Sequence, residues 1–69
     1  MRQWLKDARE KLEMSQQDVA TSIGITRQYY QQIEAGDRQQ KMDITLMTKL
    51  SDSLGVPITD IVAYERKGV

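Results

Sequence analysis

Four long polar side chains fall within six residues of this sequence: Arg27, Gln28, Gln31 and Gln32. Each Gln amide both donates and accepts hydrogen bonds, and Arg donates from a planar fork. This is chemistry for reading another molecule's hydrogen-bonding edge. The groups on which most catalysis rests are missing. The 69-residue chain has no Cys and no His, which removes disulfides, thiolate zinc sites, cysteine nucleophiles, the commonest general base and the commonest metal ligand. The acids do not compensate. Asp43, Asp52 and Asp60 lie eight or nine residues apart, which is not the spacing of a metal-binding loop, and there is no glycine-rich phosphate loop. The sequence predicts a domain that is not an enzyme and takes no cofactor or metal.

The elements that must position these side chains are all helical. Apolar residues recur every three or four positions, β-branched runs are short, and there are only one Pro and four Gly, a pattern of amphipathic helices. A first helix is expected at about residues 2–13, with Leu5, Ala8 and Leu12 on one face and Met1 and Trp4 beside it. Ser15 followed by Asp18 has the form of a capping box, and an acid also suits the positive end of a helix. It opens a second helix at about 16–23, with Val19, Ala20 and Ile23 inward and Gly24 where a left-handed exit is wanted. Thr26 can cap a third helix, about 27–35, ended by Gly36. There Tyr30 and Ile33 point inward. Asp43 can cap a fourth helix carrying Ile44, Met47, Leu50 and Leu54, closed by Gly55. Pro57 suits the first position of a short fifth helix with Ile58, Ile61 and Val62 as its apolar face. Residues 1–63 form the expected domain, and 64–69 read as a frayed tail, compatible with either a complete small protein or a truncated one.

A short capped helix, a turn of three residues at Gly24-Ile25-Thr26 and a second capped helix with a polar outer face make a helix-turn-helix. An α-helix fits the major groove of B-DNA, and the helix before it crosses the backbone and holds it there. Gln can pair bidentately with adenine N6 and N7, and Arg with guanine O6 and N7. The outer face of the third helix therefore points to double-stranded DNA as the partner.

The runs Gln16-Gln17-Asp18-Val19-Ala20, Gly24-Ile25-Thr26-Arg27-Gln28 and Ile33-Glu34-Ala35-Gly36 resemble the Cro and lambda-repressor type of helix-turn-helix, also called the xenobiotic-response-element family. Leu50 to Val56 is similar to that family's fourth helix and its exit. The resemblance covers roughly residues 3–62. It implies an all-α, five-helix lambda-repressor-like domain that binds DNA as a homodimer on a two-fold symmetric operator, from a bacterium, phage or plasmid. Carried over by position, Arg27, Gln28, Tyr29 and Gln32 fall on base-reading positions. Gln16 falls where the family braces the reading helix and touches phosphate. Thr26, Gln31, Arg38 and Lys41 complete the backbone-facing set. Ala35 stands where the family often has Asn, and Asp37 where it often has Lys or Arg. Tyr29 has three readings: contact with a thymine methyl, a hydroxyl on phosphate, or cover for the core edge.

Two charges sit on inward faces, Arg9 on the first helix and Glu34 on the third. Buried charges need partners, and the simplest arrangement pairs them with each other, as the resemblance also implies. Trp4 is expected to be a core or interface aromatic. The remaining composition bounds the function class. Apolar residues make up 39% and charged residues 29%, with ten Lys and Arg against ten Asp and Glu, a balance typical of a globular domain. No stretch approaches the roughly 20 apolar residues of a membrane span. The N-terminal run has no apolar signal-peptide core, so a cytoplasmic location and no membrane partner are expected. Zero net charge is unusual for a nucleic-acid binder. The asymmetry is weak: residues 1–41 hold seven Lys and Arg plus the α-amino group against six acids, and 42–69 hold three against four. A sequence-specific repressor is the leading expectation. A protein-binding helix-turn-helix module, such as an antitoxin or antagonist subunit with a protein partner, is the alternative.

Overall fold

The computed structural model describes residues 1–36 and 42–67. All its regular structure is helical: α1 Gln3–Lys11, α2 Gln16–Ile23, α3 Arg27–Ala35, α4 Ile44–Leu54 and α5 Ile58–Lys67. α2 packs on α3 and α4, α5 packs on α4, and α1 lies across α3. The core they enclose is Leu5, Val19, Ala20, Ile23, Tyr30, Ile33, Met42, Leu50, Leu54 and Ile61.

Local chemistry sets the helix ends. Ser15 Oγ accepts from the Asp18 N–H at 3.0 Å, and Asp18 Oδ2 accepts in return from the Ser15 N–H at 2.9 Å. The reciprocal pair satisfies two N–H groups that would otherwise lack partners. Thr26 accepts from the Tyr29 N–H and Asp43 from the Leu46 N–H in the same manner. Gly24 leaves α2 at φ +77°, and Gly36 leaves α3 at φ +73°. Because these two left-handed exits lie at the C-terminal ends of α2 and α3, they fix where the turn between the two helices begins and where α3 stops.

α1 is shorter than its apolar spacing predicts. It stops at Lys11, and Glu13 takes a left-handed conformation at φ 57° that costs a non-glycine residue about 1–2 kcal/mol. The Met14 N–H then returns to the Arg9 carbonyl at 3.2 Å, closing the chain over the end of the helix. Leu12 consequently leaves the core face and is 48% exposed. Ile44 is also outside, at 65% exposure, because the first residue of α4 precedes the point where that helix meets its neighbours. Met42, within a stretch that reads as polar, is buried in its place. Pro57 is not the first helical residue; it precedes α5, its carbonyl accepting from the Asp60 and Ile61 N–H groups.

The larger departure is at the C-terminal end. α5 does not fray at Tyr64; it continues to Lys67. Tyr64 stacks on Trp4 with ring centroids 5.4 Å apart and planes 16° from parallel. Glu65 Oε2 accepts from Trp4 Nε1 at 3.0 Å, and Glu65 also pairs with Arg2 at 3.0 Å. These contacts join residues 60 or more positions apart, so no local pattern announces them. Removing residues 64–69 should lower stability by about 2–3 kcal/mol, from one aromatic pair and the charge-assisted bonds of Glu65. Thermal melting of the shortened chain should fall by about 10 °C or more, and a midpoint within about two degrees of the full chain would contradict this account of the tail.

Candidate nucleic-acid interface

At 100° per residue, α3 divides into an inward side bearing Tyr30, Ile33 and Glu34, all buried, and an outward side centred on Gln28 and Gln32. Arg27 and Gln31 lie on one flank of that outward side and Tyr29 on the other. Arg27, Gln28, Tyr29 and Gln31 are exposed, and Gln32 is half-buried. Tyr29 is 43% exposed, so its ring covers the core edge only in part. Ala35 lies on the same outward side, exposed and too short to reach beyond the helix surface.

The orientation of α3 depends on a polar network that begins in the core. Arg9 grips Glu34 with two parallel bonds, Nε to Oε2 and Nη2 to Oε1, both 3.0 Å. Its remaining guanidinium nitrogen, Nη1, donates to the Met14 carbonyl at 2.9 Å. The two side chains are 11% and 3% exposed. Burial by itself would raise the Glu34 carboxyl pKa, but the hydrogen bonds and charge of Arg9 outweigh it and hold the carboxyl below its ordinary range. Arg9 is correspondingly raised, first by its hydrogen bonds to Glu34. The Tyr30 hydroxyl beside the pair is buried and has no hydrogen bond of regular geometry among the described residues. Burial and then the Glu34 carboxylate push its ionisation upward.

Gln16 carries this network to the surface. Its Nε2 donates to Glu34 Oε1 at 3.4 Å, and its Oε1 accepts from Gln31 Nε2 at 3.1 Å. The amide at the first turn of α2 is thereby held against α3, with one N–H of its Nε2 left over for an outside acceptor. Thr26 Oγ1 accepts the Tyr29 N–H, which leaves its hydroxyl hydrogen available to donate. The structure thus places Gln16 at the first turn of α2, in contact with Gln31, Thr26 at the cap of α3, and Arg27, Gln28, Tyr29, Gln31 and Gln32 along the outward side of α3. Arg38 and Lys41, with Asp37, lie outside the described residues.

Arg2, whose position suggested no role, belongs to the support of α3. Its backbone N–H donates to the Glu34 carbonyl at 2.8 Å, and its Nη1 donates to the Ile33 carbonyl at 2.6 Å. Both carbonyls sit in the last turn of α3, at the negative end of its dipole. No sequence spacing links residue 2 to residue 33; the only hint is a cation just ahead of an amphipathic helix.

Residues 5–61, well over half of the chain, match the family described as helix-turn-helix. The chain belongs to this family, the Cro and lambda-repressor type of DNA-binding transcription regulators. No curated protein and no solved structure matches it significantly. No helix among the described residues is long and apolar enough to cross a membrane.

Breaking the Arg9–Glu34 pair strands a buried charge, at a cost of about 3–5 kcal/mol, comparable to the whole stability of a domain this small. Arg9→Ala should therefore be largely unfolded at 25 °C by circular dichroism. Because the folded Glu34 pKa lies below the unfolded one, the pair's contribution is complete above the unfolded value, about 4.3. It is lost as the pH falls through the lower folded value. The melting difference between the parent chain and Glu34→Gln should shrink as the pH drops below about 4.3; a difference independent of pH would contradict the pair.

Proposed function

As a premise from family membership, we propose that this chain is a sequence-specific transcriptional repressor that binds a two-fold symmetric operator as a homodimer. The observation that carries the reading is the contrast between the two sides of α3. Its inner side is locked by the core and the buried ion pair, while its outer side presents Arg27, Gln28, Tyr29 and Gln32 with no apolar patch between them. A rigid helix with exposed bidentate groups suits readout of base edges in the major groove. Gln28 and Gln32 are assigned to bases at the centre of the contact, Arg27 and Tyr29 to its flanks. Gln16, Thr26 and Gln31 hold the backbone side, with Arg38 and Lys41 as phosphate contacts. Gln16 is suited to phosphate because its acceptor oxygen is occupied by Gln31 and only a donor remains.

Two reading helices must enter successive major grooves about 34 Å apart, and the outer side of α5, including half-buried Val62, is the proposed contact between protomers. Tyr64 is taken up by its stack on Trp4 and contributes at most its outer edge. The second reading is a protein-binding module, favoured by the zero net charge and by the exposed Tyr29 ring on the same face.

Selection from random duplex DNA at two salt concentrations tests both readings. The proposal expects paired half-sites centred about one helical turn apart. It also expects a modest salt slope, about −3 to −6 per dimer, since several contacts are uncharged and each neutralised phosphate contributes about −0.9. Gln28→Ala should change the preferred base pair in each half-site at a cost of about 1–3 kcal/mol and leave the slope nearly intact. Arg38→Ala should weaken all sequences and make the slope shallower by about one per site. Absence of binding to any duplex at low salt would overturn the DNA reading in favour of a protein partner.

A further inference from the structure

The contacts of Arg2 join three helices at one point. Its backbone N–H and Nη1 occupy the Glu34 and Ile33 carbonyls at the end of α3, and its Nε lies 3.0 and 3.1 Å from the two Glu65 oxygens of α5. Glu65 is in turn held by Trp4 Nε1, and Trp4 by the Tyr64 ring. The Arg2 and Glu65 side chains are only 14% and 20% exposed, so solvent screens this joint less than a surface pair. A planar guanidinium can satisfy a carboxylate and a carbonyl at once, which an ammonium on a flexible stem cannot do with the same geometry.

We propose that Arg2 and Glu65 are positioning residues for the reading helix: together they clamp the C-terminal end of α3 to α1 and α5, so that the seating of α5 sets the attitude of α3. The proposal rests on the DNA-reading role of α3, but the clamp itself can be examined without DNA. The Arg9–Glu34 pair secures the inner side of α3, and Gln16 secures its outer flank. The Arg2 joint is the restraint on its final carbonyls, where a helix is otherwise held only by its own last turn. Neither Arg2 nor Glu65 lies on the outer side of α3, so their effect on DNA must pass through its position.

The test is amide hydrogen exchange of the full chain, comparing the parent with Glu65→Gln, which keeps the size of the side chain and removes its charge. Amides of residues 33–36 should exchange roughly tenfold faster, the loss of one charge-assisted bond, while those of Leu50 and Leu54 in α4 accelerate no more than the accompanying fall in global stability accounts for. Unchanged exchange at 33–36 overturns the clamp. A uniform acceleration across α2, α4 and α3 also overturns it, because the bond would then only stabilise the whole domain. A charge-reversed double variant, Arg2→Glu with Glu65→Arg, restores a pair of opposite charges but no donor for the Ile33 carbonyl. It should not restore protection, and full recovery would reduce the joint to a simple ion pair. On the selected duplex, Glu65→Gln should lose affinity roughly tenfold with the salt slope unchanged, since no phosphate contact is removed; unchanged affinity overturns the positioning role. If the parent binds no duplex, the proposed function fails, and the exchange result alone decides whether the clamp exists.

Discussion

The bidentate pair between Arg9 and Glu34 is the interaction on which the rest of this small structure depends. It takes two charges out of water at a place where α1, the turn after it and α3 converge. Arg9 fastens the Met14 carbonyl, which fixes where α2 begins, and Glu34 receives Gln16 at the first turn of α2. One guanidinium and one carboxylate thus set α1, α2 and α3 relative to one another. A hydrophobic replacement of similar volume could equal the pair in stability. It would not supply the acceptor that orients Gln16, and so would leave the outer flank of α3 without its brace.

Under the proposed function, the same arrangement accounts for recognition by a chain with no net charge. Basic surface chiefly supplies affinity that is independent of sequence. In the proposed function the face that meets DNA is made mainly of amides, whose directional bonds would discriminate among bases and add little to non-specific attraction. Rigidity matters more for such a face than for a basic patch, since a misplaced amide loses its partner whereas a misplaced charge keeps most of its attraction. The buried pair, Gln16 and Arg2 all contact α3 away from Gln28 and Gln32 at the centre of its outer side.

The parts of the fold governed by short-range chemistry were legible in the sequence. Ser15, Asp18, Thr26 and Asp43 announce helix starts, Gly24, Gly36 and Gly55 announce ends, and α2 and α3 lie where these signals put them. The inward charges of Arg9 and Glu34 were legible too, because a charged residue on an apolar face has few alternatives to a partner. What escaped was set by distant contacts. Glu13 ends α1 in a left-handed conformation ordinarily given to glycine, so no breaker residue marked the stop. Tyr64 and Glu65 read as the start of a polar tail because their partners, Trp4 and Arg2, lie at the other end of the chain. Ile44 and Met42 exchange their expected places because periodicity tells which residues share a face, not where along a helix the neighbouring element begins.

In the proposed function the outer side of α3 meets base edges. The most direct measurement is nuclear magnetic resonance of the chain bound to its selected duplex, observing the side-chain amide protons of Gln28 and Gln32. Both pairs of resonances should move on binding and show proximity to base protons in the major groove. Saturated binding with both amides unmoved, and with proximity to DNA confined to other helices, would contradict it.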